Sequence, residues 1–346
     1  MKALVLYGPG DYRVSEWELP QCPDRGLLVK VLACGLCGSD LRTLGSGHRN
    51  IVYPRIIGHE IAGIVEETGK SYTGEWKKGD TLAIGPMVYC ARCVFCRQGR
   101  HELCSDTREI AQQWNGGFGE YIAVPGEAVA FGAISRIPEG LPPSLATLSE
   151  PASSCIHAQM KAGISLGDCV VIFGCGPIGC MHVVLARARG ARKIIVVDVS
   201  DDRLGMCGQF GPDLCINSAH EDLNECVARE TGGMGADVVI TANPVGATQV
   251  QALEIAKKGG RVVFFGGLPH GDSKPGIDTN LIHYKGLTVI GISTFNLEHY
   301  RLALECLFTG VIPAKKIVTH ILPLVDADKA IRLAKEGKAL KIVLEP

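Results

Sequence analysis

An α/β fold, in which a doubly wound parallel-sheet unit is inserted into a β-rich one, is what this sequence predicts from three observations. Beyond Cys169, short β-branched runs alternate with helix-length segments, the pattern of a parallel sheet with crossover helices. The residues before it hold short strands among loops rich in Gly, Pro and Cys. After Gly291 a helix and a final strand would close back onto the first unit, which makes the α/β segment an insertion. With 346 residues and 46% apolar composition the chain has material for two cores.

Taken in order, the β-rich unit starts with strands at Ala3–Leu6, Leu27–Leu32, Ala62–Glu66 and Glu120–Val124. The inserted sheet would use Cys169–Phe173, Lys193–Val197, Asp213–Ile216, Ala236–Thr241, Arg261–Phe265 and Leu287–Gly291. Between them Ile178–Arg189, Arg203–Phe210, Asp222–Glu230 and Ala247–Lys257 have helical length and mixed apolar and polar faces. A helix near Leu297–Thr309 and a strand at Leu340–Glu345 end the chain. The expected boundaries are 1–153 with 292–346 for the β-rich unit, including a cysteine lobe at 88–106, and 154–291 for the insertion. The apolar stretch Cys169–Ala186 contains His182 and is broken by Gly174, Gly176, Pro177 and Gly179, so it reads as strand, turn and buried helix rather than a membrane span.

Lys plus Arg (35) nearly cancels Asp plus Glu (36), with no basic stripe, which excludes a polyanion partner such as nucleic acid. The apolar run at Met1–Tyr7 stops at Gly8-Pro9-Gly10, too short for a signal-peptide core. Fifteen cysteines without an export signal point to the reducing cytoplasm, where thiols act as metal ligands or small hydrophobes.

The most specific motif is Cys90, Cys93, Cys96 and Cys104, whose spacing lets the chain wrap one tetrahedral ion. Four thiolates fill every position of a zinc ion, so such a site is structural; an iron–sulfur cluster is the alternative. A second constellation is Cys37-Gly38-Ser39-Asp40, then Gly58-His59-Glu60, then Ser149-Glu150-Pro151. Catalytic zinc needs about three protein ligands and an open position. Cys37 and His59 are the firm candidates; Glu60 or Glu150 completes the set, and spacing does not choose between them. Ser39, two residues after Cys37, is placed to take a proton from an alcohol.

The third motif, Gly174-Cys175-Gly176-Pro177-Ile178-Gly179, follows a strand and opens a helix as the dinucleotide fingerprint requires, so a pyrophosphate would lie on the helix N-terminus. Asp198 ends the next strand, nineteen residues after Gly179, where an acid binds the adenosine ribose. Its charge opposes a 2′-phosphate and favours NAD, with Arg203 nearby as a further cofactor contact.

On these motifs, together with Gly116–Tyr121 and Glu150-Pro151, the chain resembles the zinc-containing medium-chain alcohol dehydrogenases over nearly its whole length, with the sorbitol or polyol dehydrogenase branch nearest. The resemblance implies a GroES-like catalytic domain with an inserted Rossmann domain and an active site in the cleft between them. It also implies Cys37 and His59 as zinc ligands, Glu60 and Glu150 alternating as ligand or water partner, Ser39 as proton relay, and a homodimer or homotetramer. The expected reaction is hydride transfer to NAD from a secondary alcohol of a polyol, sugar or polyol phosphate. Arg42 departs from the His that L-threonine dehydrogenases usually carry five residues after the catalytic Cys. Arg42, His48, Arg49 and Arg55 form a basic stretch between the two ligand elements that would hold a substrate phosphate or be solvated charge. The alternatives are amino-alcohol oxidation of the threonine dehydrogenase kind, and a zinc- and nucleotide-binding sensor without catalysis.

Overall fold

The computed structural model describes every residue except His270. It divides into two compact units, Met1–Ser153 with Phe295–Pro346, and Ser154–Thr294.

The Ser154–Thr294 unit is built on six strands in the spatial order Leu214–Asn217, Lys193–Asp198, Cys169–Phe173, Ala236–Thr241, Ala256–Phe264, Thr288–Gly291, all parallel. The chain works outward from Cys169–Phe173 in one direction, then returns and builds in the other. That reversal is the topological switch point at which such sheets bind ligands. All five residues of Cys169–Phe173 are buried, as expected of a central strand covered on both faces. Helix Pro177–Ala188 starts where Pro177 takes the first helical position behind Gly176 as N-cap.

One strand differs clearly from expectation: the fifth begins at Ala256, five residues before Arg261. Ala256 pairs with Ala236, then the register shifts before Arg261 meets Val238. The segment between them bulges around Gly259 and Gly260, which carry no branched side chains to signal a strand.

The other unit carries an eight-stranded sheet and a small three-stranded one. In the larger sheet Val318–Pro323, Lys341–Glu345, Leu27–Leu36, Glu60–Thr68, Thr81–Val88 and Arg108–Glu109 lie side by side. Tyr121–Val124 adds to Leu27–Leu36, and Gly132–Arg136 to Thr81–Val88. The last strand does return: Ile342 pairs with Leu36 and Leu344 with Cys34. Thr81–Val88 escaped the sequence reading because it is buried almost throughout, shows no alternation and contains Gly85 and Pro86. The small sheet joins Asp11–Glu16, Lys2–Gly8 and Arg55–Ile56. One apolar core, including Leu4, Val29, Ile61, Leu82, Phe118 and Leu344, underlies the unit. No helix among the described residues is long and apolar enough to cross a membrane.

Candidate metal centres and nucleotide-binding turn

Strand Leu27–Leu36 delivers Cys37 to the N-cap of helix Gly38–Ser46. There the Cys37 amide donates to Asp40 Oδ2 at 2.9 Å, which fixes the turn. His59 immediately precedes strand Glu60–Thr68, so its ring emerges from the same sheet. Ligand atoms of Cys37, His59 and Glu60 all lie within 4.8 Å of one another. Glu150, in the first turn of helix Ser149–Ala162, is not part of that close set among the described residues. Burial pushes its carboxyl up to about 7, with the Glu60 charge acting in the same direction and His59 against. Ser39 Oγ stands 3.4 Å from His59 Nε2, beside the ligand cluster.

Three residues to which the sequence assigned no role, Asp40, Lys341 and Gly35, complete the site. Asp40, 3% exposed, places Oδ1 3.2 Å from His59 Nδ1, which fixes the ring and leaves Nε2 for a metal. Burial alone would lower the His59 pKa, but the Asp40 charge and hydrogen bond, then Cys37, hold it well above the ordinary value. Asp40 was visible in the Cys-Gly-Ser-Asp element but carries no ligand spacing of its own. Lys341 donates to Glu60 Oε1 at 2.6 Å, and both side chains are buried. Gly35 faces Glu60 in the strand register, and a Cβ there would stand 2.0 Å from Glu60 Oε2, so only glycine leaves room for the carboxylate. Glu109 is linked to the site through charge alone: burial raises its acid, and the charges of His59 and His48 draw it down again. It accepts a hydrogen bond from Gln112 and has no ion-pair partner among the described residues.

Asp40→Asn keeps the size and weakens the acceptor. It should cost about 10–100-fold in metal affinity or turnover, the usual effect of losing a partner behind a ligating His. Zinc content across graded chelator concentrations reads this out, and an unchanged profile would show that His59 is held by something else.

The four cysteines also converge, with sulfur atoms within 4.8 Å of one another. Sulfurs arranged tetrahedrally around zinc stand about 3.8 Å apart, from a Zn–S distance of about 2.3 Å. Cys90 and Cys96 Sγ are 4.0 Å apart. Backbone amides of Cys90, Cys93 and Cys96 point at the sulfurs of Cys104, Cys90 and Cys93, at 3.3, 3.4 and 3.4 Å. Amide donors from Cys96 and Ser105 push the Cys93 thiol down to about 5, into the thiolate range a metal needs. Both donor sets therefore fit zinc.

In the parallel-sheet unit Gly174 adopts a φ of +99°, and a Cβ on Gly179 would meet Gly174 O at 1.8 Å. The turn therefore closes tightly against the helix, with Gly176, Pro177 and Ile178 between. A Cβ on Gly176 would touch only Arg203 Nη1, at 3.3 Å, which places that guanidinium beside the turn. Asp198 accepts from Cys175 N at 2.8 Å through one oxygen, and from Val199 N and Ser200 N at 2.8 and 3.1 Å through the other. These bonds hold its carboxylate beside the glycine turn. In the basic stretch Arg42 and Arg49 are exposed, Arg55 donates to Asn115 Oδ1 at 3.4 Å, and His48 Nδ1 accepts from Asn50 N.

Residues 23–132 match the family description "alcohol dehydrogenase GroES-like domain", and residues 177–309 match "zinc-binding dehydrogenase". The chain is 33% identical to an L-threonine 3-dehydrogenase of Bacillus velezensis, over 96% of this chain and 95% of that one. It is 31% identical to a sorbitol dehydrogenase of Halalkalibacterium halodurans, over 100% and 99%. A solved zinc-binding dehydrogenase of Sinorhizobium meliloti 1021 bound to NADP superposes with a TM-score of 0.91 at 32% identity, covering 100% of this chain and 99% of that one.

Proposed function

Because the chain belongs to the zinc-containing medium-chain alcohol dehydrogenase family and is an oxidoreductase of zinc and nicotinamide chemistry, we propose that it oxidises a secondary alcohol of a polyol or sugar with NAD. The observation that carries this reading is the convergence of Cys37, His59 and Glu60 beside the Ser39 hydroxyl.

Zinc held by Cys37, His59 and a carboxylate supplies a Lewis acid that lowers the pKa of an alcohol hydroxyl, and the nicotinamide supplies the hydride acceptor. The protein's own groups do the rest. Asp40 keeps His59 in one orientation; Ser39 takes the hydroxyl proton and hands it on to solvent or the cofactor ribose. Lys341 balances the Glu60 charge, and Asp198 presents its carboxylate to the adenosine ribose. The Glu109 carboxylate, the exposure of Arg42 and Arg49, and the bond of Arg55 to Asn115 favour an unphosphorylated substrate. A carboxylate near His59 equally suits the ammonium of an amino alcohol, which supports L-threonine as the second reading.

The test is NADH formation across sorbitol, 2,3-butanediol, polyol phosphates and L-threonine, with zinc supplied and NADP in parallel. Turnover of unphosphorylated polyols with NAD is the expected result. L-Threonine as the sole substrate moves the assignment to the second reading. Silence across the panel, with one zinc per chain, would return the chain to a non-catalytic sensor. The same preparations, sized by light scattering, test the expected homodimer or homotetramer.

A further inference from the structure

Arg55 is half-buried, and the recess beside it is separate from the metal cluster. Arg55 borders a recess of about 220 Å³ whose walls include Met1, Trp17, Ile56, Trp114, Asn115 and Tyr121; the Met1 ammonium is already satisfied by Trp17 O at 2.8 Å. None of Cys37, Ser39, His59, Glu60 and Glu150 lines it. No carboxylate of the described residues lies within ion-pair distance of Arg55, whose Nε is buried without a partner. Its one hydrogen bond among the described residues is the 3.4 Å contact from Nη1 to Asn115 Oδ1, an oxygen shared with the Ile56 amide at 3.3 Å. Burial lowers the Arg55 pKa, yet a guanidinium stays charged.

A guanidinium half removed from water beside a recess, with no carboxylate paired to it, lacks the partner that buried charges ordinarily have. The cavity holds roughly seven waters' worth of space, too small for a nucleotide. Its aromatic and aliphatic walls disfavour a fully hydrated ion and suit an apolar body behind a planar, two-oxygen head.

We propose that this recess is a binding site for a small organic carboxylate with an apolar tail, the carboxylate pairing with Arg55 and the tail lying between Trp17 and Trp114. The occupant is an effector rather than the substrate, since the recess shares no residue with the metal cluster. Arg55 lies four residues before His59 on the same segment, which gives the occupant a route to the catalytic side.

Two of the three tryptophans line the recess, so intrinsic fluorescence of the zinc-loaded protein reports on it directly. Hexanoate is the probe, with hexanamide and inorganic phosphate as comparisons. A saturable fluorescence change with hexanoate, at least tenfold weaker with hexanamide and with phosphate, is expected. Arg55→Met should weaken hexanoate at least tenfold while leaving NADH binding in place, and R42M should not change it. Should R55M fail to fold, Arg55→Lys keeps the charge and removes the fork, and a severalfold loss is expected. Equal hexanoate binding by R55M or R55K would place the anion elsewhere, at the zinc for instance, and overturn the proposal. So would phosphate binding as tightly as hexanoate, or no saturable change at all.

Discussion

Cys37→Ser is expected to lower alcohol turnover by more than about a hundredfold, beyond the upper end of what losing a partner behind a ligand costs. It is expected also to take zinc content from two per chain to one, with NADH binding unchanged. A thiolate is a soft, anionic ligand matched to zinc, whereas a serine hydroxyl stays neutral and hard near pH 7. The neighbours make the loss specific. Cys37 is the cap of helix Gly38–Ser46, and its amide still meets Asp40 in the serine variant, so the local fold is kept while the sulfur is lost. Asp198 and the glycine turn belong to the other compact unit and do not depend on the substitution. Cys93→Ser is the control: it should remove the other zinc and destabilise the cysteine lobe instead, because four thiolates there hold a loop together. Zinc by mass spectrometry under native conditions and NADH fluorescence separate the two. A Cys37→Ser protein that keeps two zincs and wild-type turnover would sink the catalytic assignment.

How much of this was legible in the sequence depends on whether a residue announces itself by its neighbours along the chain. The glycine turn, Asp198 and the four cysteines are local patterns, with fixed spacing inside one turn or one strand–helix unit, and the structure brings each set together. The central parallel strands were legible for the same reason, because burial on both faces writes a continuous apolar run. Lys341 left no such trace. It reads as an ordinary cation at the start of a terminal strand, and only the pairing of that strand with Leu27–Leu36 carries it to Glu60, 281 positions away. Glu109 is similar: it sits in a two-residue strand beside Met87, and nothing near it in sequence says that the charge of His59 reaches it. Arg55 shows the converse. Its closeness in sequence to His48 and Arg49 suggested one basic patch, but a turn at Arg49 and Asn50 separates them, and Arg55 opens a short strand and borders a recess of its own.

The Glu60–Lys341 pair carries the largest expected effect on stability. Lys341→Met should destabilise the metal-free protein by about 3–5 kcal/mol, because breaking a buried pair leaves a charge without compensation. The geometry supports the upper part of that range. Glu60 is fully buried and Lys341 is 3% exposed, so water can take over little of the lost bond. Glu150, Glu60 and Cys37 all raise the Lys341 pKa against the opposing effect of burial, so the ammonium serves several acidic groups at once. A loss of this size is a large share of the 5–15 kcal/mol that holds a typical domain folded. The sign of the second step distinguishes an ion pair from simple packing. In the double variant Glu60→Gln with Lys341→Met the buried charge is gone as well, so part of the lost stability should return, which a loss of packing alone does not predict. Urea unfolding in the presence of chelator, so that zinc cannot neutralise Glu60 in place of Lys341, measures all three variants on one scale. A Lys341→Met protein within about 1 kcal/mol of the parent would mean that Glu60 is solvated or protonated in the folded state, as surface pairs are worth no more than that.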